Sequence, residues 1–117
     1  MRCILFAFAL LTPGIGLAAT ACSFETECFE AEACGDAAFL FEFSDNGGGA
    51  RLQQGLSAST EFGDMGGYVV RADQTSVLYA FEGSGATYFL TVAGEDARLS
   101  VHMEGPVVAT YLGVCER

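Results

Sequence analysis

Cys22, Cys28 and Cys34 are evenly spaced, and Cys115 stands near the far end of the chain. Such residues could ligate a metal or pair with one another. Zinc sites draw on four N or S ligands, often from close CxxC pairs. The chain has no CxxC pair, and His102 is its single histidine. The residue set Cys22, Cys28, Cys34 and Cys115 therefore reads as two disulfides, with the pairing left open by the spacing. His102 reads as a surface residue between Ser100 and Glu104, with no nucleophile at a telling distance.

Carboxylates are the other abundant chemical group. Glu25, Glu27, Glu30, Glu32 and Asp36 form the densest acidic run. Calcium takes six to eight oxygen ligands, typically from a DxDxDG loop. No such loop occurs, so the run reads as a solvated face, and Asp45-Asn46 before three glycines reads as a turn. Acid–base hydrolysis needs a placed carboxylate pair. The 15 acidic residues offer many pairs, and no motif singles one out. A GxSxG elbow and a phosphate-cradling GxxxxGK[ST] loop are both missing, so no catalytic, cofactor or metal residue is assigned. Aromatics are the last candidates. Phe24, Phe29, Phe62, Phe89 and Tyr111 exceed what a regular inner stripe needs, and could fill space under loops or present an apolar site.

One local pattern has a counterpart elsewhere. Ser84-Gly85-Ala86-Thr87-Tyr88, the later Gly94-Glu95-Asp96-Ala97 and the terminal Cys115 resemble the periplasmic inhibitors of c-type lysozyme. The similarity covers under a fifth of the chain. The gap between the two stretches is shorter here, and the family's lysine and tryptophan are missing. It implies a small exported β-barrel that binds a cationic enzyme.

The elements that must position these residues begin after an N-terminal address. Residues 1–21 read as a secretory signal: Arg2 is followed by the apolar run 4–11, then Pro13, Gly14 and small residues. The run is shorter than the roughly 20 residues a membrane-spanning helix needs. Cleavage could follow Ala18, Ala19 or Ala21. A lipid anchor on Cys22 is the rival reading, but Ala19 stands where lipoprotein signals usually carry leucine, and acylation would leave an odd number of thiols. Cys3 leaves with the signal. Residues 22–117 then form one disulfide-stapled domain, expected to be soluble. A domain of this size buries only about 60–65% of its unfolded surface, so cross-links matter to its stability.

The charge balance is extreme. Formal net charge is −10, lysine is absent, and only Arg51, Arg71, Arg98 and Arg117 follow the signal. Binding nucleic acid or an anionic membrane needs clustered cations, so neither is an expected partner. A cationic protein is. Self-repulsion that aids solubility is the plainer reading of the same charge.

Past residue 36 the chain alternates as short strands separated by turns. Phe39, Phe41 and Phe43 alternate with Leu40 and Glu42. Residues 44–49 mark a turn, 51–56 a weaker strand, 63–67 another turn, and 68–72 a strand with Tyr68 and Val70 inward and Arg71 outward. Strands over 77–82, 86–92, 97–103 and 107–114 follow. Val77, Tyr79, Phe81, Tyr88, Leu90, Val92, Leu99, Val101 and Met103 form one inner set, with Arg98, Ser100 and His102 outside. The expected fold is all-β, a small antiparallel up-and-down barrel or compact sandwich of about seven strands. Residues 23–35 carry a helix-like pattern, with Ser23 as a cap and Gly35 as a stop. A full helix would hold Cys22 and Cys34 about 17–18 Å apart and leave thiols unpaired. An irregular, disulfide-linked segment with at most one or two helical turns is expected there, tied by Cys115 to the last strand. The function expected is that of a non-catalytic exported binding, inhibitory or envelope-associated protein. A lysozyme-inhibitor-like barrel and a small carboxylate-dependent hydrolase are the alternatives.

Overall fold

Alternating apolar and polar residues, rich in aromatic and β-branched types, suit a pleated surface buried on one side. Eight such segments form strands in the computed structural model, which describes residues 19–45, 55–83, 85–105 and 107–116. They are β1 (Ala19–Phe29), β2 (Gly35–Asp45), β3 (Leu56–Thr60), β4 (Gly63–Ala72), β5 (Val77–Gly83), β6 (Ala86–Ala93), β7 (Asp96–Met103) and β8 (Val107–Glu116). Each pairs antiparallel with the next, and β8 returns to β1, so the sheet closes into an up-and-down barrel. Closure removes the unpaired edges that an open sheet would expose. The signal segment up to residue 18, residues 46–49 of the expected turn and residues 51–54 of the strand expected over 51–56 lie outside the described residues, and β3 runs from Leu56 to Thr60, past the expected end of that strand.

The topology gives the barrel two unlike ends. Connections β1–β2, β3–β4, β5–β6 and β7–β8 gather at one, the hairpin end. Residues 19 and 116 and connections β2–β3, β4–β5 and β6–β7 lie at the other, the terminal end. At the terminal end Gly94 turns β6 into β7 with φ 65°, a conformation glycine adopts without Cβ strain. The β4–β5 connection is held by Asp73, whose Oδ1 accepts hydrogen bonds from the Thr75 and Ser76 backbone N–H groups. Those bonds and the Thr75 hydroxyl hold the Asp73 carboxyl below its usual range.

The inner face is where the alternation placed it. Phe81, Tyr88, Leu90, Val92, Leu99 and Val101 are buried, with Val77, Tyr79 and Met103 half-buried. Phe39, Phe41 and Phe43 enter from β2, and Phe41 lies 5.1 Å from Phe81, ring centre to ring centre, at 68°. Each buried large apolar side chain contributes about 1.5–3 kcal/mol against exposure. Arg98 and His102 face outward, as the alternation requires.

Three expectations need correction. The N-terminal segment is not helical, and only residues 30–34 of it are irregular. Through Phe29 it is β1, the eighth strand, because pairing with β2 on one side and β8 on the other satisfies its backbone and closes the sheet. Residues 63–67 are not a turn but the start of β4, with the turn at 61–62. Met65 and Gly67 alternate inward there, and Gly67 is glycine because the Phe81 ring and Ala80 carbonyl occupy the space of a side chain. Tyr68 and Val70, expected inward, are exposed at 38% and 46%, as is Val69 beside them, where the β4–β5 register slips between Val69 and Arg71.

Candidate functional site

The four cysteines pair as Cys22–Cys115 and Cys28–Cys34. Cys22 and Cys115 are direct cross-strand partners of β1 and β8, and both are buried in the barrel interior. This bridge fastens the last strand to the first. Cys28–Cys34 instead clasps the β1–β2 connection at the hairpin end.

At that end the interior opens into a cavity of about 330 Å³. Phe39 lines it from β2, Phe62 from the β3–β4 turn, Ala86 and Tyr88 from β6, Val101 and Met103 from β7, and Ala109 and Tyr111 from β8. Its wall is largely apolar and ringed by aromatic contacts. Phe39 stacks on Tyr111 with centroids 5.0 Å apart and an interplanar angle of 29°. Phe62 lies 5.8 Å from Phe39, and Phe24 supports Tyr111 from 6.2 Å.

One carboxylate is hydrogen-bonded to a lining residue of this cavity, and a strand irregularity aims it. Along β1, Cys22 and Phe24 face inward, paired with Cys115 and Gly113. The register then slips between Phe24 and Thr26, so Glu27 falls opposite Tyr111, which is itself opposite the fully buried Leu99. A bulge of this kind turns the next residue to the other face. Glu27 therefore reaches the mouth of the barrel, and the Tyr111 hydroxyl donates a 2.7 Å hydrogen bond to its Oε2. Burial, that bond and the negative charges of Glu27 and Glu61 push the Tyr111 phenol well above its ordinary value. Burial also raises Tyr88. A phenol whose folded pKa lies above its unfolded one gives stability that is complete below the unfolded value and lost as pH rises toward the folded one. We expect thermal stability to fall as pH climbs past the phenol's ordinary 10.0. Tyr111→Phe should flatten that alkaline limb in melts recorded across the range, and an unchanged slope would contradict the assignment.

The hairpin end also carries carboxylates with no described arginine among them. Glu30, Glu32, Asp36, Glu61 and Glu104 are exposed there around Glu27. Glu30 sits at φ 54° and extends the β1–β8 ladder: its N–H donates to the Val108 carbonyl at 3.0 Å, and its Oε2 accepts from the Val108 N–H at 2.7 Å. Among the described residues the arginines are Arg71 and Arg98, both toward the terminal end, while Arg51 and Arg117 lie outside the description. The acidic run is thus spread over β1, its connection and β2, and no group of three or more His, Cys, Asp or Glu among the described residues is arranged to hold a metal ion.

The remaining candidates do not converge on this site. His102 is on the outer wall, with Nε2 2.9 Å from Ser100 Oγ and its ring edge-on to Phe89 at 5.3 Å. Phe29 is exposed. Glu42, Asp64 and Glu82 line an open trough outside β2–β5 with Ser57 and Ser59. No carboxylate among the described residues is fully buried, and Glu27 is half-buried. Gly85 and Tyr88 lie toward the hairpin end and the Gly94–Ala97 stretch at the terminal end, so the two lysozyme-inhibitor-like stretches are not brought together.

Of the five surplus aromatics, the cavity uses Phe62 and Tyr111, backed by Phe24. The Glu27 contribution had no sequence signal: its partner is 84 residues away, and the bulge that aims it reverses the alternation. No family model matches the chain, and no curated protein or solved structure matches it either.

Proposed function

We propose that this protein is a non-catalytic binding module, exported to an oxidising compartment, that engages a cationic partner through its hairpin end. The observation that carries the reading is the uncompensated charge of the hairpin end: six carboxylates, Glu27, Glu30, Glu32, Asp36, Glu61 and Glu104, stand there with no described arginine, whereas Arg71 and Arg98 partly offset Asp73, Glu95, Asp96 and Glu116 toward the terminal end. Such a field steers oppositely charged partners and acts over about 30 Å at 0.01 M salt but about 10 Å at 0.1 M. Export is supported by two intramolecular disulfides, which persist in oxidising surroundings, and by the signal-like pattern of residues 1–21.

Calorimetric titration against a c-type lysozyme and a second basic protein of unrelated fold, at low and high salt, tests it. Binding should weaken steeply with salt. The variant Glu32→Gln/Glu61→Gln/Glu104→Gln should lose about tenfold in affinity, the equivalent of 1.4 kcal/mol. Asp96→Asn/Glu116→Gln at the terminal end should lose little. No binding at low salt, or equal losses from both variants, would overturn the reading.

A further inference from the structure

We propose that the barrel mouth is a binding site for a small cationic amphiphile, an amine carried on an aromatic ring or a short alkyl chain. This deepens the proposal that the hairpin end receives positive charge, and it rests on that reading. The cavity of about 330 Å³ sets the size. A cavity of about 150 Å³ holds benzene, so this one takes a ring with a short chain and excludes long acyl chains. Its wall sets the character. Phe39, Phe62, Tyr88, Met103 and Tyr111 offer apolar and π surface, and aromatic faces attract a cation as well as a ring.

Glu27 sets the charge. The β1 bulge brings its carboxylate beside the lining residue Tyr111, whose hydroxyl pins it through Oε2 and leaves Oε1 free of that bond. Glu61, beside Phe62 in the β3–β4 turn, adds a second negative charge that acts on Tyr111. Among the described residues no arginine stands at this end to neutralise the pair. An anionic ligand would enter against two carboxylates. A neutral one would gain only the apolar wall. An amine gains both, with its ring between Phe39, Phe62 and Tyr88 and its ammonium donating to Glu27.

A matched series separates these cases: 3-phenylpropylamine, 3-phenylpropanol and 3-phenylpropionate, titrated by calorimetry into the disulfide-intact protein at one ionic strength. The amine should bind tightest and the carboxylate weakest. Glu27→Gln should cut amine affinity about tenfold, the scale of one charge-assisted hydrogen bond, and leave the alcohol unchanged. Ala109→Phe, which fills the cavity, should abolish binding of all three. If Glu27→Gln does not fold, Tyr111→Phe serves in its place: it removes the hydroxyl that pins Glu27 and should narrow the advantage of the amine over the alcohol. Equal affinities across the series, or no binding of the amine, would overturn the proposal. Lysozyme binding without amine binding sinks this site alone. Amine binding without any basic-protein partner sinks the protein-partner reading alone.

Discussion

Replacing the buried bridge by Cys22→Ala/Cys115→Ala is expected to destabilise the protein by about 4–5 kcal/mol, whereas Cys28→Ala/Cys34→Ala should cost about 2 kcal/mol. The difference follows from the chain each bridge closes, with sequence separations of 93 and 6. A longer loop loses more entropy in the unfolded state when it is cross-linked. Small domains have only about 5–15 kcal/mol of stability in total, so the first loss is a large share and the second is tolerable. Accessibility points the same way: Cys22 is fully buried, while the Cys28–Cys34 clasp lies at the surface of the hairpin end. Mild reductant should therefore open Cys28–Cys34 in the native protein and reach Cys22–Cys115 only as the barrel opens. Denaturant titrations of both double variants, with mass analysis of alkylated thiols, check both statements. Equal costs would mean that β8 is not held by its latch.

The second large effect is expected at Gly113. This residue stands opposite Phe24, where β1 bulges toward β8. A Cβ at Gly113 would collide with the Ser23 carbonyl and the Phe24 backbone, which cannot yield as a flexible side chain can. Gly113→Val should cost about 3 kcal/mol by forcing the seam apart. It should also loosen the Glu27–Tyr111 pair that the same bulge sets up. Gly66→Ala is the control, because its added Cβ meets nothing nearer than the Leu56 carbonyl at 3.9 Å. That change should stay within about 0.5 kcal/mol. Chemical denaturation of the two variants decides it, and a Gly113→Val protein as stable as the parent would contradict the account of the seam.

How much of this could be read from the chain depended on where local and distant forces agree. Phe39, Phe41 and Phe43, and the strands from Val77 onward, declare themselves by alternation, and their inward sets are the barrel core. The latch from Cys115 to the N-terminal segment was legible from the need to pair thiols, although the partner cysteine was not. For residues 23–35 the need to pair thiols rightly set aside the helix preference of glutamate and alanine, but nothing local showed that residues 23–29 are strand. The ladder to two neighbouring strands outweighs that preference, a tertiary effect no local window contains. Residues 63–67 misled because glycines that normally mark turns here make room for the Phe81 ring. The mouth was legible only as a surplus of aromatics. Glu27 was hidden in an acidic run until the bulge separated it from its neighbours.

The central claim is that the hairpin end, with its carboxylates around an apolar mouth, is the face that receives a cation. Amide chemical-shift mapping of the 15N-labelled protein, titrated with a c-type lysozyme or with 3-phenylpropylamine, tests it most directly. Shifts should concentrate at Glu27–Glu32, Glu61–Phe62 and Met103–Gly105, while Arg71–Asp73 and Gly94–Asp96 at the terminal end stay still. Shifts centred on the terminal end, or spread evenly over the barrel, would contradict it.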